Sequence, residues 1–181
     1  MAEDEEMNEV SLVSYAIPQK VNSVEFQQIS IIAKQLLDHL NQPNKIEELM
    51  VANQPGNSSA MVQDVFIGYA KELGFESEKT GLFKEYSMGM RPDYYKKTEN
   101  SGIIIEVERG KTTINNMDML DFWKTHLCKH ANHLFLFVPK ELRQNATMKP
   151  KKEFNNVKKR LEKFFHSGNE TNVHTLHLFG Y

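Results

Sequence analysis

The chain has 181 residues, a formal net charge of −2 and an apolar fraction of 40%. This suits one domain able to bury a real core, and it excludes the uniformly basic character of a protein that coats nucleic acid. No stretch is apolar for long enough to span a bilayer. A single cysteine, Cys128, excludes an internal disulfide and points to a reducing compartment, with the cytoplasm as the expected location.

The first residues, Met1-Ala2-Glu3-Asp4-Glu5-Glu6, are acidic and have no apolar stretch behind them. Residues 1–22 are therefore expected to form an acidic, partly disordered segment rather than a signal peptide. From Ser23 onward, Val24, Phe26, Ile29, Ile32, Ala33, Leu36, Leu37 and Leu40 recur at helical spacing, with Ser23 placed to cap the start. A turn at Gln42-Pro43-Asn44 leads to a second helix over 45–52, which stops at Asn53-Gln54-Pro55-Gly56. These helices make 23–57 an N-terminal helical extension, an elaboration or a dimerisation surface.

Ser58 or Ser59 opens a third helix running through Leu73, and Gly74 closes it. Strands are expected at 75–78, at 83–90 with a continuation to Tyr95, and at 103–108, with Thr98-Glu99-Asn100-Ser101-Gly102 as a hairpin turn. The next helix covers 114–129, and its stripe Met119, Leu120, Trp123 and Leu127 is expected to pack on the sheet, with Trp123 in the core. The run His133-Leu134-Phe135-Leu136-Phe137-Val138 reads as a buried central strand reached by a crossover helix, ended by Pro139. A helix over 151–165 and a strand over 173–179 complete the order α, β-meander, α, β, α, β. That order predicts an α/β fold with a mixed central sheet flanked by helices.

Chemistry concentrates in Arg91-Pro92-Asp93-Tyr94 and in Ile103-Ile104-Ile105-Glu106-Val107-Glu108-Arg109-Gly110-Lys111. Asp93 stands at the start of the hairpin, and alternation puts Glu106 and Glu108 on one face of the following strand. Carboxylates gathered in a cleft repel, so one must protonate or a divalent ion must bind, and oxygen ligands select Mg²⁺ or Mn²⁺. Asp93, Glu106 and the Val107 carbonyl are the expected metal ligands, and Glu108 is expected to orient or deprotonate the attacking water.

This pattern resembles the PD-(D/E)XK nuclease superfamily: Pro92, Asp93 and Glu106 match its Pro-Asp and its later Glu, whereas Glu108 stands at the superfamily's lysine position. The resemblance spans about 58–181 and implies a restriction endonuclease-like core there. It implies a Mg²⁺- or Mn²⁺-dependent endonuclease acting on DNA, of restriction, defence or DNA-processing type, with a homodimer as the assembly that cuts two strands. It also implies a cation, from Lys111 at the strand end or Lys124 on the next helix, and a side chain from the first core helix, for which Gln63 is chosen over Asp64 and Glu72. The alternative is a catalytically inactive module of the same fold that binds nucleic acid or a protein partner.

Nucleic-acid contacts are expected from Arg109, Lys124, Lys151, Lys152, Lys158 and Lys159, the last four within a basic stretch of the chain. Asn115 and Asn116 are placed to cap the helix that follows them or to donate to a phosphate. His126, Cys128, His130 and His133 invite a zinc reading and a zinc-stabilised regulatory protein, but on a helix Cys128 points away from the face of His126 and His130.

Overall fold

In the computed structural model, which describes residues 9–77, 91–110, 112–142 and 149–181, strand β1 (Ser11–Ala16) comes first. It pairs antiparallel with the last strand. The stretch expected as a partly disordered acidic segment therefore supplies a sheet edge. Its side chains are only partly covered, and such an edge strand lacks the solid apolar run that marks a central one.

Helix α1 (Val24–Leu40) begins as expected, with the Ser23 hydroxyl accepting from the Phe26 amide at 3.0 Å. Helix α2 (Pro43–Ala52) starts two residues before its expected start. Pro43 occupies its first turn, where a missing amide and a fixed φ cost nothing. Helix α3 (Ser59–Glu72) ends before Gly74, whose φ of +87° suits glycine.

Strands β2 (Glu76–Ser77), β3 (Tyr94–Lys97) and β4 (Gly102–Val107) follow as an antiparallel meander. The strand expected over 83–90 lies outside the described residues. Helix α4 (Met117–Leu127), strand β5 (His133–Val138), helix α5 (Glu153–Leu161) with a 3₁₀ turn over Glu162–Phe165, and strand β6 (Thr175–Gly180) complete the chain. The helix expected from 114 begins at Met117, because Asn116 is left-handed at φ 55° and turns precede it.

The six strands form one mixed sheet in the order β1-β6-β5-β4-β3-β2, with β4, β5 and β6 parallel. Ile103, Ile105, Val107, Phe135, Phe137 and Phe179 face α1, α2 and α3, while Ile104, Leu134, Leu136, Leu176 and Leu178 face α4 and α5. Burial on both faces explains why the parallel strands read as unbroken apolar runs. The two helices expected as an extension share one core cluster with α3 and the sheet. Among the described residues, no helix is long and apolar enough to cross a membrane.

Gly102 fixes the start of β4. A Cβ there would lie 2.4 Å from the Tyr95 ring and 2.6 Å from the His130 carbonyl oxygen, and the backbone atom has little room to yield. Gly102→Ala is expected to destabilise the fold by about 1–3 kcal/mol, read as a lower midpoint in denaturant unfolding. An unchanged midpoint would mean that the β3–β4 hairpin shifts freely.

Candidate active site

Asp93 immediately precedes β3, and its Oδ2 accepts the Val107 amide at 2.9 Å, which ties the carboxylate to the C-terminal end of β4. Gln63 of α3 hydrogen-bonds Asp93 and accepts the Tyr94 hydroxyl at 2.8 Å. Of the three candidates on this helix, Gln63 reaches Asp93, whereas Asp64 and Glu72 are exposed. Glu106 is 4% exposed and shares the sheet face of Ile104, towards α4. The Glu108 amide donates to the Phe137 carbonyl at 2.8 Å, and its carbonyl accepts the Tyr181 hydroxyl at 2.7 Å, so its backbone is pinned just beyond the strand.

Helix α4 contributes a face that differs from the expected one. Leu120, Trp123 and Leu127 are 54%, 47% and 47% exposed, and only Met119 of the stripe packs on the core. The buried positions are Asp118, Asp121, Phe122 and Thr125, spaced i, i+3, i+4 and i+7. Two of them are acids, which turns the helix's apolar moment away from the face it buries. Trp123 is therefore not a core residue.

Rotating α4 this way brings Asp121 and Lys124 to the strand ends. The Lys124 Nζ donates to Glu106 Oε1 at 2.6 Å and to Asp121 Oδ1 at 3.2 Å, and reaches the Arg91 carbonyl at 3.4 Å. Asp121 was not foreseen. The signal lay in Asp118 and Asp121, acids at i and i+3 that share one helix face with Phe122 and Thr125. Asp121 Oδ2 is buried without a donor, and the Glu108 carboxyl lies within hydrogen-bonding reach of Asp121.

Four carboxyl groups, those of Asp93, Glu106, Glu108 and Asp121, thus gather around the ammonium of Lys124. Burial pushes Glu106 well above the usual carboxylate range, and the Asp121 charge adds to it. Burial and then Asp121 push Glu108 up to about 8, and burial raises Asp121 to about 6. Asp93 is raised by burial against the opposing pull of the Val107 amide and Lys124. Lys124 is raised to about 12, because Glu106 and Asp121 outweigh the desolvation that would lower it. An all-oxygen set with surplus negative charge and an orphaned buried oxygen fits a hard dication such as Mg²⁺ or Mn²⁺.

The raised Glu108 value has a signed consequence. An acid whose folded pKa exceeds its unfolded value costs the fold nothing while protonated, and stability is lost as pH climbs from about 4.5 towards 8. In metal-free protein, Glu108→Gln is therefore expected to stabilise by about 0.5–2 kcal/mol at pH 8.5 and by little at pH 4. Burial depresses His133 to about 4 and His177 to about 3, which destabilises the fold on the acid side. Those terms cancel when variant and parent are unfolded at the same pH. An equal gain at both pH values would exclude this origin.

Other expected residues are placed as follows. Lys111 lies outside the described residues. Val107 is buried at the end of β4 with its amide on Asp93. Arg109 is turned to the α2–α3 connection, donating to the Asn57 carbonyl at 2.6 Å and to the Gln54 carbonyl, so its guanidinium serves to hold a loop. Lys151 makes a backbone bridge with Leu142, Lys152 and Lys159 are exposed, and Lys158 is half-buried. Their neighbour Arg160 is occupied with Asp118 at 3.2 Å, the Thr113 carbonyl at 2.9 Å and Asn116 Oδ1 at 2.7 Å. Asn116 thus precedes α4 as an acceptor for Arg160 and makes no side-chain cap.

The four residues of the zinc reading take separate surroundings. His126 Nδ1 meets Thr171 Oγ1 at 3.2 Å, Cys128 is buried past the end of α4, His130 is exposed, and His133 points to Glu25. No protein-family model matches the chain, and no curated protein matches it either.

Proposed function

We propose that this chain is a Mg²⁺- or Mn²⁺-dependent nuclease of the PD-(D/E)XK type that hydrolyses phosphodiester bonds of DNA. The observation that carries the reading is the convergence of Asp93, Glu106 and Glu108 with the ammonium of Lys124, 2.6 Å from Glu106. A lysine arriving from the crossover helix supplies the cation that Glu108 removes from the strand. The order of helix, antiparallel meander, crossover helix and parallel strand agrees with the restriction endonuclease-like core that the motif implies, and so does Gln63 at Asp93.

Asp93 and Glu106 would hold the dication, with the Val107 carbonyl as a further ligand; when bound, it would supply charge neutralisation at a phosphate oxygen and lower the pKa of water. Glu108, within hydrogen-bonding reach of Asp121, takes the proton from the attacking water as general base. Asp121 orients Glu108 and shares its proton. Lys124 stabilises the charge that develops on the phosphoryl oxygens as the new P–O bond forms and the ester P–O bond breaks, and the departing oxygen takes its proton from solvent. The exposed Lys152, just ahead of α5, and Lys159 on it follow the phosphate backbone, and a homodimer presents two such sites to a duplex.

The test is cleavage of plasmid and single-stranded DNA by the purified chain with Mg²⁺ or Mn²⁺, beside Asp93→Asn. Metal-dependent cutting that disappears in the variant supports the nuclease. Folded protein that cuts neither substrate turns the reading to a module that binds nucleic acid or a protein partner, with Lys124 as the permanent counter-ion of its acids.

A further inference from the structure

We propose a second, zinc-type metal site formed by Glu25, His133 and His174, on the opposite sheet face and at the opposite strand ends from the acid cluster. His133 opens β5 and pairs with Thr175 of β6, so His174 lies just ahead of the neighbouring strand. Glu25 stands in the first turn of α1 and is brought over both imidazoles. His133 shares the face of Phe135 and Phe137, whereas Glu106 faces α4. In register, His133 is level with Ile103, three residues from Glu106 and about 10 Å along the strands.

The three side chains bring their ligand atoms within reach of one ion. The Glu25 Oε1 lies 3.2 Å from His133 Nε2, the Glu25 Oε2 lies 3.9 Å from His174 Nδ1, and one ligand atom from each residue falls within 4.8 Å of the others. Zinc bound to nitrogen and oxygen at about 2.0–2.1 Å separates its ligands by roughly 3.3 Å. Small side-chain adjustments close the site, and solvent supplies the fourth position.

Two further features point to a ligand. The His174 Nδ1 is buried without a hydrogen-bond partner although it faces the cluster, which is costly unless something binds it. The His133 Nδ1 lies 2.9 Å from Thr175 Oγ1. Without an ion, Nε2 hydrogen-bonds Glu25 Oε1 at 3.2 Å; an ion taking the place of that proton would be bound by Nε2 and Oε1 while Nδ1 donates to the Thr175 hydroxyl, the outer-shell arrangement of a metal-bound histidine. Lys20 holds Glu25 Oε2 at 2.8 Å, leaving Oε1 for the ion. Two imidazoles and one carboxylate suit a borderline ion such as Zn²⁺, in contrast with the all-oxygen set of the acid cluster. The bound ion cross-links the start of α1 to β5 and β6.

The full chain, stripped with chelator, is titrated with Zn²⁺ by calorimetry and with Co²⁺ by visible absorption. One equivalent of Zn²⁺, the intense absorption of tetrahedral Co²⁺ and a rise in Tm are expected. His174→Gln and Glu25→Gln, at partly exposed positions, are each expected to weaken zinc binding at least tenfold, while Asp93→Asn leaves it unchanged. In the parent protein, zinc should also shift the ¹⁵N resonances of His133 and His174, a readout independent of how the variants fold. No stoichiometric zinc, binding unchanged in both site variants, or binding lost in Asp93→Asn would overturn the proposal. Failure of DNA cleavage leaves these outcomes untouched, so the two readings stand or fall separately.

Discussion

Glu106→Gln is expected to lower metal-dependent DNA cleavage by at least about 10²–10³-fold, the scale of losing a group that organises charge in the transition state. The substitution conserves volume, so the sheet face of Ile104 and Leu136 should remain packed. It replaces the one carboxylate that is both buried at the strand end and bonded to Lys124. Single-turnover cleavage at saturating Mn²⁺ separates lost metal affinity from lost chemistry: the former is recovered at high metal, the latter is not. Activity above about a tenth of the parent's, far outside that range, would remove Glu106 from the site.

Lys124→Met is expected to do two things that a single role would not combine. It leaves Glu106 and Asp121 buried beside one another without their cation, and breaking a buried pair in this way costs about 3–5 kcal/mol. The cost should be greatest near pH 8 and shrink near pH 4, where the carboxyls hold protons and need no partner. The double variant Lys124→Met with Glu106→Gln should recover part of the loss, because the stranded charge is gone. Saturating Mn²⁺ should restore the Tm of Lys124→Met, since a dication replaces the missing charge, yet cleavage should stay depressed. If restored stability brought back full cleavage, Lys124 would be a counter-ion alone.

Much of the framework was legible in the sequence because its signals are local. The apolar run of β5, the Ser23 cap and the stop at Gly74 each follow from spacing or from a backbone preference that no partner alters. The pairing of Asp93 with the end of β4 was legible too, since hairpin register and strand alternation fix it. What escaped depended on distant partners. The edge strand β1 takes its order from β6, some 160 residues away along the chain, and its own residues do not declare it. Asp121 escaped because Met119, Leu120, Trp123 and Leu127 make the opposite side of α4 the more apolar one. The face that turns inward is chosen by the acids at the strand ends, where Glu106 takes the ammonium that α4 carries on Lys124. His133 illustrates the same limit, since its companions Glu25 and His174 are far from the histidines beside it in sequence.

The outward position of Trp123 makes the protein its own optical gauge. It is the chain's only tryptophan, half-exposed on α4, one residue from Lys124 and edge-on to His126 at a centroid distance of 5.0 Å. Its emission therefore comes from a single place, on the very helix whose inner side carries Asp121 and Lys124. An ion drawn to the acids, or a strand of DNA laid over them, changes the surroundings of that one indole and leaves no other tryptophan to dilute the change. Intrinsic fluorescence should thus report occupancy of this site without any label.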